Sequence, residues 1–388
     1  MNDVIQLSEL GEIITGNTPS TSDNANYESD DILFVKPSDI SNDRISYIDN
    51  TENYISNYAK EKARVVPSDT VFCTCIGIIG KVGIATKDSA FNQQINAIIP
   101  DKNKVTSDYL AYALMAKRNY MQVKANAAVV PIINKSQFAE LKIKYVSLEE
   151  QRCITDKFQL IDSLIAKREK QIETIEYLVK SRFIELFGDI KLNSKKWSIA
   201  KLEDIADVGS SKRVFVEELL PTGIPFYRGT EIGALAEGKT VIPDLHITKV
   251  HYKELCEASG TPQYGDLLMP SICPDGRIWL VDTDEPFYFK DGRVLWVHLT
   301  SNEFNNVFVQ YVMKFRMATE YEQIASGTTF KELKIFTLKS LDVVKPPIDI
   351  QKQFADFVAL TDKSKLAVQQ SIETLQTLKA KRMHDYFG

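Results

Sequence analysis

The chain has 388 residues, 44% of them hydrophobic and 26% charged, with a formal net charge of −5. It is long enough for two or three hydrophobic cores and too apolar for disorder, while the acidic balance argues against polyanion binding by bulk charge and leaves only local basic surfaces. Five cysteines without a Cys-x-x-Cys indicate neither a disulfide framework nor a zinc site. With no basic leader and no run approaching the roughly 18 apolar residues of a membrane span, a cytoplasmic protein without membrane contact is expected.

In chain order, nearly every predicted element occurs twice. A short helix at Leu7-Ser8-Glu9-Leu10-Gly11-Glu12-Ile13 has its counterpart at Leu202-Glu203-Asp204-Ile205-Ala206-Asp207-Val208, and each leads to a Gly and polar turn. Next, Ile32-Leu33-Phe34-Val35-Lys36-Pro37-Ser38 parallels Ile224-Pro225-Phe226-Tyr227-Arg228-Gly229-Thr230, a strand delivering a base and a hydroxyl into a turn. A second strand then enters a glycine hairpin, with Lys81 directly after Gly80 and Arg277 directly after Gly276. Neither hairpin has the spacing, or the Ser or Thr after Lys, with which a phosphate-binding loop holds phosphates and magnesium, so a β-turn is predicted. Another strand follows, then an amphipathic helix at residues 107–125 and 305–325. The last shared loop, Ala127-Ala128-Val129 to Lys135 or Ser326-Gly327-Thr328 to Lys331, leads to a short extended segment.

Each half closes on a long helix. Residues 151–188 and 351–388 align without a gap: Gln151 meets Gln351, Asp162 meets Asp362, Leu178 meets Leu378, and Phe187-Gly188 meets Phe387-Gly388. Ile154, Phe158, Ile161, Ile165, Ile172, Ile175 and Val179 step by three, four or seven, and Phe354, Val358, Val368, Ile372 and Leu375 by three, four or ten, all spacings that keep to one helix face. Without internal Gly or Pro, each copy is predicted to run as one helix of about 36 residues, roughly 54 Å long. Arg168 and Lys365 interrupt the seams, a device that fixes register. The expected fold class is α+β: two repeated mixed α/β domains separated by two long antiparallel coiled-coil helices, with pseudo-twofold symmetry. Its divisions are residues 1–146, the central helix at 147–188, residues 189–346, and the C-terminal helix at 347–388.

The Gln-initiated helices ending in aromatic-Gly, the Pro346-Pro347-Ile348 entry and the Ser326-Gly327-Thr328 loop together make the whole chain resemble the specificity subunit of a type I restriction-modification enzyme. The first half departs from the pattern with Ala127-Ala128-Val129 in the loop and Val146-Ser147 at the helix entry. The resemblance implies two target recognition domains reading a bipartite, asymmetric double-stranded DNA site. It also implies docking of two methyltransferase subunits and, in a complete system, restriction/translocase subunits, with S-adenosylmethionine, ATP and Mg held only by those partners.

Catalytic signatures are missing from the chain itself. Lys345-Pro346-Pro347-Ile348 is no amine-holding Asn/Asp-Pro-Pro-aromatic motif, neither Pro243-Asp244 nor Pro274-Asp275 is followed by a nuclease Glu-x-Lys, and the four histidines have no ligand spacing. A non-catalytic chain binding no cofactor or metal is expected. DNA reading needs Arg or Lys for guanine, Asn or Gln for adenine, and hydroxyls for phosphate. The repeat-matched turns supply these as Lys36, Ser38, Lys81, Asn92, Gln93, Asn134 and Lys135 in the first half. The second half offers Arg213, Arg228, Thr230, Arg277, Arg293, Thr328 and Lys331. Asp39 and Glu231 are expected to brace the neighbouring base or cap its turn. The competing reading is a coiled-coil assembly scaffold that does not bind DNA; divergent domains on near-identical helices count against it.

Overall fold

The computed structural model describes residues 4–125, 131–327 and 331–388. The chain divides into two compact units, Met1–Ile172 with Ala367–Gly388, and Glu173–Leu366.

In the first unit a five-stranded sheet has the order Gly11–Thr15, Ile95–Pro100, Val71–Thr74, Val82–Ala85, Ser46–Ile48. A four-stranded sheet has the order Tyr54–Ile55, Ile32–Val35, Ser89–Phe91, Val65–Val66. The strands Val71–Thr74 and Val82–Ala85 are buried on both faces, which is why their sequences read as apolar runs without alternation. They pair antiparallel across the glycine hairpin, where Gly77 and Gly80 take φ of 73° and 84°. The predicted turn is therefore present, in a backbone conformation that glycine adopts without the Cβ penalty. The strand Ile32–Val35, which delivers Lys36, lies parallel to Ser89–Phe91.

The second unit repeats this plan with fewer strands. One sheet has the order Ala206–Gly209, Val294–Leu299, Leu267–Pro270, Trp279–Leu280, and another has His246–Ile247, Ile224–Tyr227, Tyr288–Phe289. The strand Ile224–Tyr227, which delivers Arg228, is again parallel to its neighbour Tyr288–Phe289. In each unit a strand from the domain's start pairs with the strand before a long helix: Val4–Gln6 with Lys142–Lys144, and Ser198–Lys201 with Asp342–Lys345.

The expected amphipathic helix of the first half is broken. It runs Ser107–Ala116 and resumes as Arg118–Ala125, whereas its counterpart Asn306–Ile324 is continuous. At the break Arg118 turns back to the glycine hairpin, donating from Nε to the Gly80 carbonyl at 2.8 Å. That bond ties the helix to the hairpin and is invisible to helical periodicity.

The long helices are Leu148–Phe187 and Ile348–Phe387, 40 residues each. They outrun the expected 36 because the first turn begins before the glutamine: Gln151 donates its N–H to Ser147 O at 2.8 Å, and Gln351 to Pro347 O at 3.3 Å. Both glutamine side chains are fully buried. Gln151 accepts from Thr106 N–H at 2.9 Å and donates to Lys104 O and Val146 O. Gln351 repeats the set with Asn305 N–H at 2.9 Å, Glu303 O and Pro346 O.

Within the first unit the start of the central helix meets the end of the C-terminal helix. Phe158 packs on Phe387 with centroids 5.9 Å apart, and Lys379 donates to Asp162, which also accepts from Tyr112 Oη at 2.8 Å. Within the second unit the end of the central helix meets the start of the C-terminal one, with Phe187 edge-on to Phe354 at 5.5 Å and Lys365 paired to Glu176 at 2.6 Å. The pairing is antiparallel in both. Of the two expected register residues, Lys365 crosses to the other helix, while Arg168 donates to Gln171 on its own helix, 2.8 Å away.

Candidate nucleic-acid interface

The matched turns after the parallel strands share one construction. In the first unit Lys36 precedes the short 3-10 helix Pro37–Asp39, and its N–H donates to the Asp39 carboxylate at 2.7 Å. In the second, Arg228 precedes the helix Gly229–Ala236, and its N–H donates to Glu231 at 2.9 Å. An acidic residue three positions on thus fixes the turn in both, as in a helix cap. The exposed hydroxyls of Ser38 and Thr230 sit inside the turns.

The two cations are held differently. The Lys36 ammonium lies 5.7 Å from the Phe34 ring centroid, a cation–π distance. The Arg228 guanidinium grips the Glu231 carboxylate through Nε and Nη2. Burial works against that carboxylate, yet donation from Arg228 and Thr230 brings the Glu231 pKa down to about 2. Asp39 and Glu231 accordingly act as the expected braces.

The remaining candidates separate by exposure. Lys81 is buried, and its ammonium donates to Pro37 O at 2.9 Å, so it supports the Lys36 turn from beneath. Asn92 is also buried, with its side chain engaged by Gln94. Gln93 is exposed and accepts from Thr18 at 2.7 Å. Asn134 caps the helix Lys135–Ala139 by accepting from Gln137 N–H at 2.9 Å, and Lys135 is exposed beside it.

In the second unit Arg213 is exposed over the Phe215 ring, 5.1 Å from its centroid. Arg277 is half-buried and paired with Asp275 at 2.7 Å. Arg293 is 58% exposed on an Asp-Gly-Arg turn and pairs with Glu332. Lys331 pairs with Glu322 at 2.5 Å. Thr328 and the Ala127-Ala128-Val129 segment lie outside the described residues.

Sequence reasoning missed Lys334, which joins Arg293 on the Glu332 carboxylate at 3.1 Å. The Lys-Glu-Leu-Lys spelling of that loop was the available signal. It also missed exposed leucines off the helix seam: Leu160 and Leu378 in the first unit, 60% and 41% exposed, and Leu178 and Leu360 in the second, 50% and 65% exposed. Here the signal was identity between repeats at positions the seam does not use. Among the described residues no group of three or more His, Cys, Asp or Glu is placed to hold a metal. No helix there is long and apolar enough to cross a membrane.

Two similar α+β units, each displaying charged turns beside halves of two long helices, define a duplicated recognition protein. Residues 2–177 and 194–377 match the family described as the type I restriction modification DNA specificity domain, and the chain belongs to that family. It is similar to the specificity subunit of type I restriction enzyme MjaIX of Methanocaldococcus jannaschii, at 28% identity over 382 residues, covering 92% of this chain and 85% of that subunit. The MjaVIII specificity subunit of the same organism is 24% identical, covering 79% and 74%. Among solved structures, the S subunit of a type I restriction-modification system from M. genitalium has the same fold, with TM-score 0.57, 16% identity, and coverage of 100% of this chain and 96% of that one. So does a chain from a structure of type I restriction-modification complex assembly and conformational transition, with TM-score 0.60, 14% identity, and coverage of 99% and 97%. The chain is a DNA-specificity subunit of this class.

Proposed function

We propose that each unit reads one half of a bipartite, asymmetric duplex site and that the chain, itself without catalytic activity, docks two methyltransferase subunits. S-adenosylmethionine, and in a complete system ATP and Mg, belong to the partners. The observation that carries this reading is the repeated turn in which unlike bases, Lys36 and Arg228, stand on one frame: a parallel strand before, a hydroxyl two residues on, and a carboxylate three residues on that fixes the backbone. A scaffold needs no such substitution on a constant frame, whereas a reader of two different half-sites does. Arg suits bidentate guanine contact and Lys a point contact to a base or phosphate.

The outward residues are proposed to touch DNA: Lys36, Ser38, Gln93, Asn134 and Lys135 on one half-site, and Arg213, Arg228, Thr230, Arg293 and Lys331 on the other; Thr328, outside the described residues, is proposed with them from its place in the sequence alone. Lys81, Asn92 and Arg277 support those turns. The test is duplex binding by the methyltransferase complex after Arg228→Ala. Discrimination should fall by about 1–3 kcal/mol at one base pair of one half-site while the other half-site is read as before. Uniform weakening across all sequences would reduce Arg228 to a phosphate contact, and unchanged binding would remove this turn from the interface.

Each unit also exposes one copy of both repeated leucines, so each offers an equivalent apolar surface on the helices. Two like docking surfaces support two methyltransferase copies.

A further inference from the structure

In the first unit the glycine hairpin joins two segments that carry candidate DNA contacts. At its end Lys81 donates to Pro37 O of the Lys36 turn at 2.9 Å. At its start Gly77 N–H donates to Pro131 O at 3.1 Å and Ile133 N–H donates to Cys75 O at 2.9 Å, which brings up the loop that leads into Asn134 and Lys135. The hairpin therefore bridges the Lys36 turn and the Asn134 cap.

Two isoleucines are left exposed at this junction. Ile78 follows Gly77 and Ile132 follows Pro131, so each is one residue from the bond that joins hairpin to loop. Ile78 is 57% exposed and Ile132 41%, while the next residues, Ile79 and Ile133, are buried in the core. One isoleucine of each Ile-Ile pair builds the domain and the other faces water. A single exposed aliphatic residue needs no explanation, but two at one junction place apolar surface among the polar side chains offered to DNA.

The second unit has the same frame with other side chains. Leu333 N–H donates to Ser271 O at 2.8 Å as Ile133 N–H does to Cys75 O, and Ser271 N–H donates to Arg293 O at 2.9 Å as Cys75 N–H does to Gln94 O at 2.8 Å. These bonds match Ile132 with Glu332, Asn134 with Lys334 and Gln94 with Arg293, and the hairpin glycines Gly80 and Gly276 match Ile78 with Pro274. Glu332 there pairs with both Arg293 and Lys334. One frame is thus ionic in the second unit and aliphatic with amides in the first. In the major groove only thymine presents a methyl group, the one base feature that an aliphatic side chain can recognise.

We infer that Ile78 and Ile132 read thymine, each by apolar contact with the C5-methyl group of one thymine in the half-site of the first unit. The contact removes a methyl group and an aliphatic side chain from water together, so it favours thymine over the other bases without neutralising a phosphate. It rests on the reading that each unit contacts one half-site and deepens it, because it gives the first half-site a base content that the second unit's Pro274 and Glu332 do not select.

The test is duplex binding by the methyltransferase complex, on the site mapped from the modified bases of its host genome. Each thymine of the two half-sites is replaced in turn by deoxyuridine, which removes the methyl group and keeps the hydrogen-bonding edge. The wild type should bind about fourfold more weakly at one or two positions, all in one half-site, the loss expected for one buried methyl group. Ile78→Ala and Ile132→Ala should each abolish that sensitivity at one of these positions. Both side chains are exposed, so the core is untouched, and the deoxyuridine series on the wild type requires no variant. No loss at any thymine, or sensitivity that survives both substitutions, would overturn the inference while leaving site recognition intact. Failure of the wild-type complex to prefer its site over unrelated duplex would overturn both readings.

Discussion

Gln351 illustrates how much one buried amide can hold. Its side chain satisfies one backbone N–H and two backbone carbonyls, joining the domain helix cap, the loop before it and the entry to the long helix. Replacing it by alanine leaves all three unsatisfied and should cost about 2–4 kcal/mol. All three tryptophans, Trp197, Trp279 and Trp296, lie in the second unit, so urea unfolding followed by tryptophan fluorescence reads that unit. A loss below about 0.5 kcal/mol would mean that solvent replaces the amide. Glu231 supplies a pH test by the same readout. Its folded pKa of about 2 lies below the ordinary 4.5, so its ionised form stabilises the fold above pH 4.5, and that contribution disappears as pH falls from 4.5 toward 2. Glu231→Gln should flatten the stability profile across that window; a profile as steep as the wild type's would assign the acid sensitivity to other carboxylates.

The pairing of the long helices includes lysines whose counterparts in the other copy are apolar. Lys379 and Asp162 are 12% and 23% exposed, and the gapless counterpart of Lys379 is Val179. Breaking this pair on one side should cost more than the pair contributes, because the remaining charge is stranded. Asp162→Ala is therefore expected to destabilise the first unit by about 2–3 kcal/mol, discounted from a fully buried pair for its partial exposure, whereas Asp162→Leu with Lys379→Met should recover most of the loss. Urea titration followed by circular dichroism compares them. A double variant no better than the single would mean that the lysine is needed for itself. The more exposed Lys365–Glu176 pair, at 29% and 57%, should contribute under about 1 kcal/mol and act mainly on register.

Across the molecule, the exchange of repeated leucines makes a prediction about stoichiometry. Leu160→Asp with Leu378→Asp should remove one methyltransferase copy from the assembled complex, Leu178→Asp with Leu360→Asp the other, and all four substitutions both, as read by native mass spectrometry. Loss of both copies from either pair alone would contradict independent docking on each unit.

The duplication, the two long helices, the glycine hairpins and the base-bearing turns were legible in the chain because each is written in local terms: apolar spacing, turn residues, and recurrence after about 200 positions. Antiparallel pairing followed from the same repeat. The status of individual candidate residues was not legible, since Lys81 and Lys36 are equally charged and equally placed beside turns, and only the folded chain buries one beneath the other. The break at Lys117 was hidden for a like reason: no helix breaker marks it, and the bond that accompanies it runs from Arg118 to Gly80, 38 residues away. The open pocket beside Ala116 was hidden as well, because an alanine reads only as a good helix former in sequence, and the packing of its repeat counterpart Phe315 on Phe183 is a contact made across 132 residues. Local propensity specifies elements; exposure, partners and empty volume are set by contacts between residues far apart in the chain.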